Sequence, residues 1–372
     1  MVRSRPTRLA HIAPIGVDRM GDIADLSGKD FLRLENLDVD IPPDPEAIAC
    51  TKSSADQDQN NSYLPFIGQR HLREIAARHV SSISGVQYSG EENCIISSGG
   101  LSGILNVLLA TVEVGDEVIV TDPTYAGLIN RVRLAESKVR AMLLMSPSMP
   151  SGGYFNAEDW DLISKLCVEA DLLLILDTAM ERLLFDKRPL IHPAGLPGMA
   201  NRTIIVGAAS KELRMIGWRA GWIVAPKEYI PDLIAVSLAN VVVPVGIAQS
   251  AAAVALERSW TTMQPYVDEL QARRDLILEE LHGLPVGVPA GGWSLLLRVS
   301  DYGIDGETAS KRLLEEGVCA TGMAGWGNEH GKENTITLAP ATAPRSRSID
   351  NHKTAFGLPV DRKTPPPSNA NR

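Results

Sequence analysis

Short apolar runs alternate with amphipathic segments through the first half of the chain. Runs rich in leucine and β-branched residues end in a turn or an acidic residue at 117–123, 139–147, 172–179 and 203–210. Segments with apolar residues at helical spacing lie between or beside them, at 103–112, 128–136 and 158–170. Continuous apolar strands that alternate with helices are typical of a parallel sheet covered on both faces. The pattern therefore predicts an α/β domain with a mostly parallel, doubly wound sheet.

The pattern changes after about residue 235. A long helical run, a strand-like run, a second helical run and a second strand-like run follow at 266–284, 291–301, 306–317 and 334–339. This order predicts a smaller α+β domain, and the polar, Pro-rich end predicts a disordered tail. We therefore divide the chain into an N-terminal arm, a large domain, a small domain and a tail, at 1–35, 36–235, 236–342 and 343–372.

Composition excludes several classes of protein. The 372 residues are 44% hydrophobic with a net charge of −9, which is ordinary for a globular enzyme and leaves no basic field for nucleic acid. The four cysteines are scattered without metal-ligand spacing, so we expect no metal site and a reducing compartment, the cytoplasm. No apolar run reaches the length that crosses a membrane, so we expect no membrane partner.

The residues that follow the predicted strands carry the candidate chemistry. In open α/β sheets ligands bind beyond the carboxyl ends of the strands. There Asp177 ends one apolar run, while Ser210 and Lys211 follow another, with Arg219 eight residues further on. A lysine whose pKa is lowered by burial or by a nearby cation forms Schiff bases with carbonyl compounds. A buried carboxylate needs a cation or donors, and a protonated pyridine nitrogen is such a partner.

A phosphate site is the second feature that these motifs predict. The segment SSGGLSG at 97–103 opens a helical run, so its backbone amides can bind an anion, and Arg219 offers a bidentate guanidinium. Taken alone, each motif has a plainer interpretation. Lys211 is then a solvated surface charge, Asp177 a turn or helix-capping residue, and the glycines an ordinary turn.

Together the motifs resemble the class I/II aminotransferase family of fold-type I pyridoxal-phosphate enzymes, which are aspartate aminotransferase-like, over about residues 30–342. The resemblance of SKELRMIGWRAGW implies that Lys211 holds pyridoxal 5′-phosphate as a Schiff base and that Arg219 binds its phosphate, with Ser210 adding a hydroxyl. The resemblance of LILDTAMERLLFD implies that Asp177 keeps the pyridine nitrogen protonated. The family's phosphate turn falls on the amides around Gly99, Gly100 and Leu101.

Further residues follow from the same resemblance. DPTY places on Tyr125 the aromatic that stacks on the cofactor, although a half-buried packing aromatic is the alternative. NNSYLPFIGQRHLREIA is similar to the segment whose tyrosine, here Tyr63, reaches the phosphate of the neighbouring subunit, which implies a homodimer. Asn36 lies where the family has a wall of the substrate pocket, Thr337 aligns with the family's carboxylate-binding arginine, and Trp326 lines the pocket mouth or packs between domains.

The chain also departs from the family. Met149 and Met180 stand where an asparagine and a tyrosine donate hydrogen bonds to the ring hydroxyl, so the pKa of the Schiff base is expected to rise. Roughly 30 residues, including a strand that the family has at the sheet edge, are absent near residues 135–140, where the loss costs less than at the centre.

The leading hypothesis is an aminotransferase that moves an amino group between an amino acid and a 2-oxo acid. Two alternatives stay open. A pyridoxal-phosphate lyase or synthase on the same fold shares proton abstraction at Cα, and a non-catalytic binding protein retains the cofactor cleft without the chemistry.

Overall fold

The computed structural model describes residues 12, 16–35, 39–135, 139–327 and 335–338. Asn36 and the predicted tail lie outside this part of the chain. The helices are α1 Gly16–Ser27, α2 Pro45–Ala55, α3 Arg70–Ser84, α4 Gly100–Thr111, α5 Ala126–Ala135, α6 Ala157–Glu169, α7 Ile230–Asn240, α8 Gly246–Thr262, α9 Gln264–Glu280 and α10 Gly306–Glu315. The strands are β1 Leu32–Arg33, β2 Cys94–Ser97, β3 Glu117–Ile119, β4 Val139–Met145, β5 Leu173–Asp177, β6 Thr203–Ala208, β7 Gly221–Val224, β8 Leu295–Arg298, β9 Val318–Cys319, β10 Thr321–Gly322 and β11 Thr335–Leu338.

The larger sheet has the strand order β2-β7-β6-β5-β4-β3 within the described residues. The strands from β3 to β6 pair in parallel, whereas β7 runs antiparallel to both of its neighbours. Every residue of β5 and of β6 is buried, which is why both strands read as continuous apolar runs rather than alternating ones. The prediction of a mostly parallel α/β sheet is confirmed.

Helices cover this sheet on both faces, as the side chains of β4 demonstrate. Ala141, Leu143 and Met145 join the main core, whereas Met142 and Leu144 join a second cluster on the opposite face. The main core includes buried residues of α3, α4 and α8, and the second cluster includes Trp160 and Cys167 of α6. The alternation follows from the two-residue period of a strand, and it makes the sheet doubly wound.

Helix α5 and strand β4 are close together along the chain. Helix α5 ends at residue 135 and β4 begins at residue 139. In the described sheet β3 pairs only with β4, and its first and last residues are exposed. The central strands of the described sheet are all paired, and the predicted loss of a strand near residues 135–140 stays a prediction.

Strands β2 and β7 were missed by the sequence analysis. Each has only four residues, CIIS and GWIV, and lies next to serine and glycine residues that break the apolar pattern. Cross-strand pairing with β6 makes β7 a strand, and β2 pairs with β7 in turn. Short strands of this kind depend on their neighbours for hydrogen bonds and are weakly marked in sequence.

A second, smaller sheet has the order β10-β11-β8 and is antiparallel. Its apolar side packs with α9 and α10, in a cluster that includes Ile277 and Leu313. Strand β1 pairs in parallel with β9, and Leu32 and Leu34 belong to the same cluster. Leu32 and Leu34 thus pack with the smaller sheet. Helix α8 begins after residue 235 and packs in the main core, and the division of the chain into four parts stays a prediction.

No helix within the described ranges has both the length and the apolar composition needed to span a membrane. Nor do those ranges contain a cluster of three or more histidine, cysteine or acidic side chains suited to a metal ion.

The packing of residues 16–35 predicts a contrast between two leucines. Leu34 is 1% exposed in the cluster of the smaller sheet, and Leu26 is 88% exposed at the end of α1. Leu34→Ala should lower the free energy of unfolding by about 2–5 kcal/mol, because it leaves a cavity. Leu26→Ala should change it by less than about 0.5 kcal/mol. Urea unfolding measures both, and equal effects would show that residues 16–35 do not pack as described.

Candidate active site

The candidate residues meet at one rim of the larger sheet because of the strand register. Ser97, at the end of β2, pairs with Gly221, and Gly221 pairs in turn with Ala208 at the end of β6. Asp177, at the end of β5, pairs with Val206 of β6. The chain segments that follow β2, β5 and β6 therefore leave the sheet side by side, where ligands bind in doubly wound folds.

Asp177 is a buried carboxylate at this rim. It is 5% exposed, and its Oδ1 accepts a hydrogen bond of 3.0 Å from the backbone N–H of Ala179. Burial raises the pKa of Asp177 to about 6, while the Ala179 amide and the charge of Lys211 act in the opposite direction. A carboxyl group in this state gains most from a cationic ligand placed against it.

Lys211 lies in the loop between β6 and β7, close enough to Asp177 to influence its pKa. Its Nζ lies 4.1 Å from the centroid of the Trp293 ring, a cation–π contact. Trp293 is fixed in turn, because its Nε1 donates a 2.8 Å hydrogen bond to the hydroxyl of Tyr266. That hydroxyl also donates to the backbone carbonyl of Lys211 at 3.5 Å. The amine is thus held against an aromatic face rather than in open solvent.

The opposite end of the rim, around Gly99 and Arg219, suits an anion. Gly99 caps the N-terminus of α4 with φ +88°, a left-handed conformation that favours glycine. A Cβ at this position would lie 2.6 Å from Nη2 of Arg219, so the absence of a side chain is what admits the guanidinium. Nη1 of Arg219 donates to the carbonyl of Ile216 at 2.9 Å and to Oγ of Ser210 at 3.4 Å. A helix N-terminus, a hydroxyl and a guanidinium converge there, which suits a phosphate.

Tyr125 and Trp326 form one wall. Their rings pack edge to face with centroids 5.5 Å apart, and the backbone N–H of Thr124 donates to the carbonyl of Trp326 at 2.9 Å. Trp326 is fully buried, whereas Tyr125 is half-buried. The contact joins the loop after β3 to a loop of the C-terminal part, so both interpretations of Trp326, pocket wall and packing residue, stay compatible with its position.

Met149 and Met180 are buried beside the same rim, at 3% and 1% exposure. Both belong to the main apolar core, and a Cβ at Gly292 would contact the Sδ of Met180 at 3.8 Å. A thioether donates no hydrogen bond. The two side chains therefore pack in the core at positions where the family resemblance leads one to expect hydrogen-bond donors to the ring hydroxyl.

Two of the predicted site residues, Tyr63 and Thr337, do not join this cluster within a single chain. Tyr63 is 82% exposed, and no hydrogen bond or ring contact among the described residues joins it to the cluster. Thr337 is buried within β11 of the smaller sheet, and its hydroxyl donates to the carbonyl of Leu295 at 3.5 Å. Asn36 lies outside the described residues. Their roles, like those of the residues above, stay predictions.

The sequence analysis missed a cluster of buried titratable side chains that affects Asp177. Glu181 lies 3.6 Å from Nε2 of His79 and 3.9 Å from Nε2 of His192, and all three side chains are buried. Burial lowers the pKa of His79 to about 3 and raises that of Glu181, whose negative charge in turn raises the pKa of Asp177. The four-residue spacing from Asp177 to Glu181 is the only sequence signal for this coupling.

These residues fit pyridoxal 5′-phosphate at three points. Asp177 suits a protonated ring nitrogen, Lys211 suits an aldehyde, and Gly99 with Arg219 leaves a cradle that a Cβ would fill. The fold and the site together define the class: a fold-type I pyridoxal-phosphate enzyme.

Comparison with known proteins gives the family. The model of aminotransferase class I and II matches residues 30–142 and 135–330, so the chain belongs to this family, whose members use pyridoxal phosphate to transfer amino groups. The two matched segments meet at the short connection between α5 and β4.

Individual proteins that are similar to this chain are aminotransferases as well. The chain is 28% identical to an aspartate aminotransferase of Pyrococcus abyssi, covering 90% of this chain and 93% of that one. It is 30% identical to an arginine–pyruvate transaminase of Pseudomonas aeruginosa, over 69% and 72%. A solved structure of Thermus thermophilus aspartate aminotransferase with maleate superposes with a TM-score of 0.85 at 26% identity, covering 96% of this chain and 98% of that one.

The buried state of Asp177 predicts a pH dependence of stability in the cofactor-free protein. Its folded pKa of about 6 exceeds the ordinary 3.8, so the folded chain retains a proton that the unfolded chain releases. Relative to Asp177→Asn, the wild type should therefore lose about 3 kcal/mol of unfolding free energy as pH rises from below 4 to above 6. Denaturant unfolding across that range measures the difference, and a constant difference would contradict the burial of this carboxyl.

Proposed function

We propose that this pyridoxal-phosphate-dependent aminotransferase uses Lys211 to bind the cofactor and to move the substrate proton. The observation that carries the proposal is the convergence of Asp177, Lys211 and Arg219 on one rim, with the acid and the guanidinium marking opposite ends. A ligand with a cationic ring and an anionic phosphate matches that distribution of charge.

Bound pyridoxal phosphate supplies an aldehyde that condenses with amines and a ring that accepts electrons from the substrate Cα. Lys211 would supply the base: its amine would bind the cofactor aldehyde and, once free, would take the proton from the substrate Cα and hold it for return. Asp177 stabilises the positive charge on the ring nitrogen, and this interaction offsets the cost of burying its carboxylate.

Arg219, Ser210 and the amides of Gly99, Gly100 and Leu101 hold the phosphate in our proposal. The support is the left-handed turn at Gly99, the helix N-terminus behind it and the hydrogen bond between Arg219 and Ser210. These contacts fix the cofactor at one end, so that the reacting end stays aligned with Lys211. Tyr125, packed against Trp326, is proposed to cover one face of the ring.

We further propose that the chain works as a homodimer in the cytoplasm. Apolar or aromatic side chains lie exposed in the segments that precede α3 and α8, namely Tyr63, Phe66, Val242 and Val245. A second copy that covers them would remove their apolar surface from water and bring Tyr63 to the neighbouring phosphate. The four cysteines are free thiols, which supports a reducing compartment.

A lyase or synthase on the same fold is the second candidate, favoured by the buried Met149 and Met180. These two side chains donate no hydrogen bond to the ring hydroxyl. The electrons left after proton removal can therefore follow a different course from the one that leads to transamination. The two candidates differ in what accumulates: a transaminase leaves the amino group on the cofactor when no oxo acid is present, whereas a lyase does not.

The role of Lys211 is tested by covalent trapping. Borohydride reduction of the loaded protein, followed by peptide mapping, should place the cofactor mass on the Lys211 peptide. Lys211→Ala should lose this label and at least 10³-fold in the rate of the amino-acid half-reaction, because it removes both attachment and base. Lys227→Ala, a lysine outside the cluster, serves as the matched control. A label elsewhere, or unchanged turnover in Lys211→Ala, would overturn the assignment.

The dimer is tested by hybrid complementation. Neither Tyr63→Ala nor Lys211→Ala should be fully active alone. In a hybrid dimer of the two, one site would combine Lys211 of one chain with Tyr63 of the other, so activity should rise above that of either parent. If Tyr63 acts within its own chain, or if the protein is a monomer by light scattering, no such recovery will occur.

A further inference from the structure

Arg131 is a second guanidinium at the anion-binding end of the rim. It lies on α5, about two turns after Tyr125, at a position that the family motifs do not mark. Its Nε donates to the carbonyl of Leu101 at 3.0 Å, and its Nη1 donates to the carbonyl of Gly127 at 2.9 Å. These two bonds use two of the five N–H donors of an arginine, so the guanidinium is oriented and still has donor capacity.

The contact with Leu101 locates this guanidinium. Leu101 is the second residue of α4, directly after the Gly99–Gly100 turn against which Arg219 packs. Arg131 is half-buried, and it lies close enough to Arg219 and to Tyr125 for each to affect its pKa. Burial and the positive charge of Arg219 both lower the pKa of Arg131.

This arrangement is electrostatically unfavourable by itself. Two guanidinium groups and the partial positive charge of a helix N-terminus are gathered at one place, and one guanidinium is partly removed from water. No acidic side chain is among the causes that act on the pKa of Arg131; the only one that raises it is the phenol of Tyr125. A dianion placed between the two arginines would remove the repulsion, and a phosphate monoester carries close to two negative charges at neutral pH.

We propose that Arg131 binds the phosphate of the cofactor together with Arg219, so that two guanidiniums match a dianion. The proposal rests on the proposed function, because it takes the phosphate to lie at the Gly99 turn. It adds a phosphate ligand from α5, the helix that precedes the short connection to β4. The cofactor would then tie α5 to α4 at the edge of the domain.

The alternative is that Arg131 only fastens α5 to α4 through the carbonyls of Leu101 and Gly127. In that case, substitution of Arg131 would weaken the binding of ligands with and without a phosphate equally. If Arg131 binds the phosphate, its substitution would weaken only the binding of the phosphorylated ligand. Comparing pyridoxal phosphate with pyridoxal therefore separates the two roles.

The experiment measures equilibrium binding in a Lys211→Ala background, where attachment is non-covalent. Quenching of tryptophan fluorescence gives Kd for pyridoxal phosphate and for pyridoxal. Adding Arg131→Gln should weaken binding of pyridoxal phosphate about tenfold or more and leave pyridoxal within about twofold, since one charge-assisted contact is lost. Arg131→Lys should recover part of the loss because it restores the charge.

Arg133→Gln is the matched control, because a residue two positions along the helix points to a different side. It should leave both Kd values unchanged. Thermal unfolding of the cofactor-free variants reports whether each chain is folded; if Arg131→Gln is not, Arg131→Lys should show a smaller selective weakening of pyridoxal phosphate binding.

The outcomes are distinct. Equal weakening of both ligands assigns Arg131 the fastening role and overturns the proposal, as does unchanged binding of pyridoxal phosphate. If the Lys211→Ala parent binds pyridoxal phosphate no better than pyridoxal, the phosphate site itself is wrong, and the proposed function fails independently of Arg131.

Discussion

The rest of this structure depends on the interaction between a buried carboxylate and a positively charged group. Asp177 ends a strand whose five residues are all buried, between β4 and β6, and its pKa is raised to about 6, chiefly by burial. A charged carboxylate is costly in such a place unless a positive group faces it. The amine of Lys211 is near, and it is held against Trp293. In our proposal, a protonated pyridine ring supplies the missing positive charge.

Charge is separated along the rim. The acid lies at one end, while Arg219, Arg131 and the N-terminus of α4 supply positive charge at the other. A ligand that is cationic on its ring and anionic on its phosphate is bound in one orientation only, because reversing it would oppose like charges. The strand register fixes this polarity, since neighbouring strand ends bring the loops together.

The sequence predicted the parts of this arrangement that are local. Strands β5 and β6 stand out as apolar runs because all of their residues are buried, Asp177 ends β5, and Lys211 follows β6. What it missed depends on tertiary contacts. Strand β7 exists through pairing with β6, Trp293 reaches Lys211 from a distant part of the chain, and Glu181 acts on Asp177 through its burial. Periodicity carries no information about such contacts.

The departures from the family lie where the fold tolerates them. Asp177 ends the central strand β5 and Lys211 follows the central strand β6, whereas the predicted deletion falls before β4, next to the edge strand β3. Met149 and Met180 keep the core packed and donate no hydrogen bond, so in our proposal Asp177 is the residue that controls the electronic state of the ring.

The most direct test of this account is the protonation state of the cofactor nitrogen, read by NMR from protein loaded with ¹⁵N-labelled pyridoxal phosphate. The account predicts a pyridinium signal in the wild type and an unprotonated pyridine signal in Asp177→Asn at neutral pH. The same signal in both proteins would mean that Asp177 does not face the ring, and the central claim would be wrong.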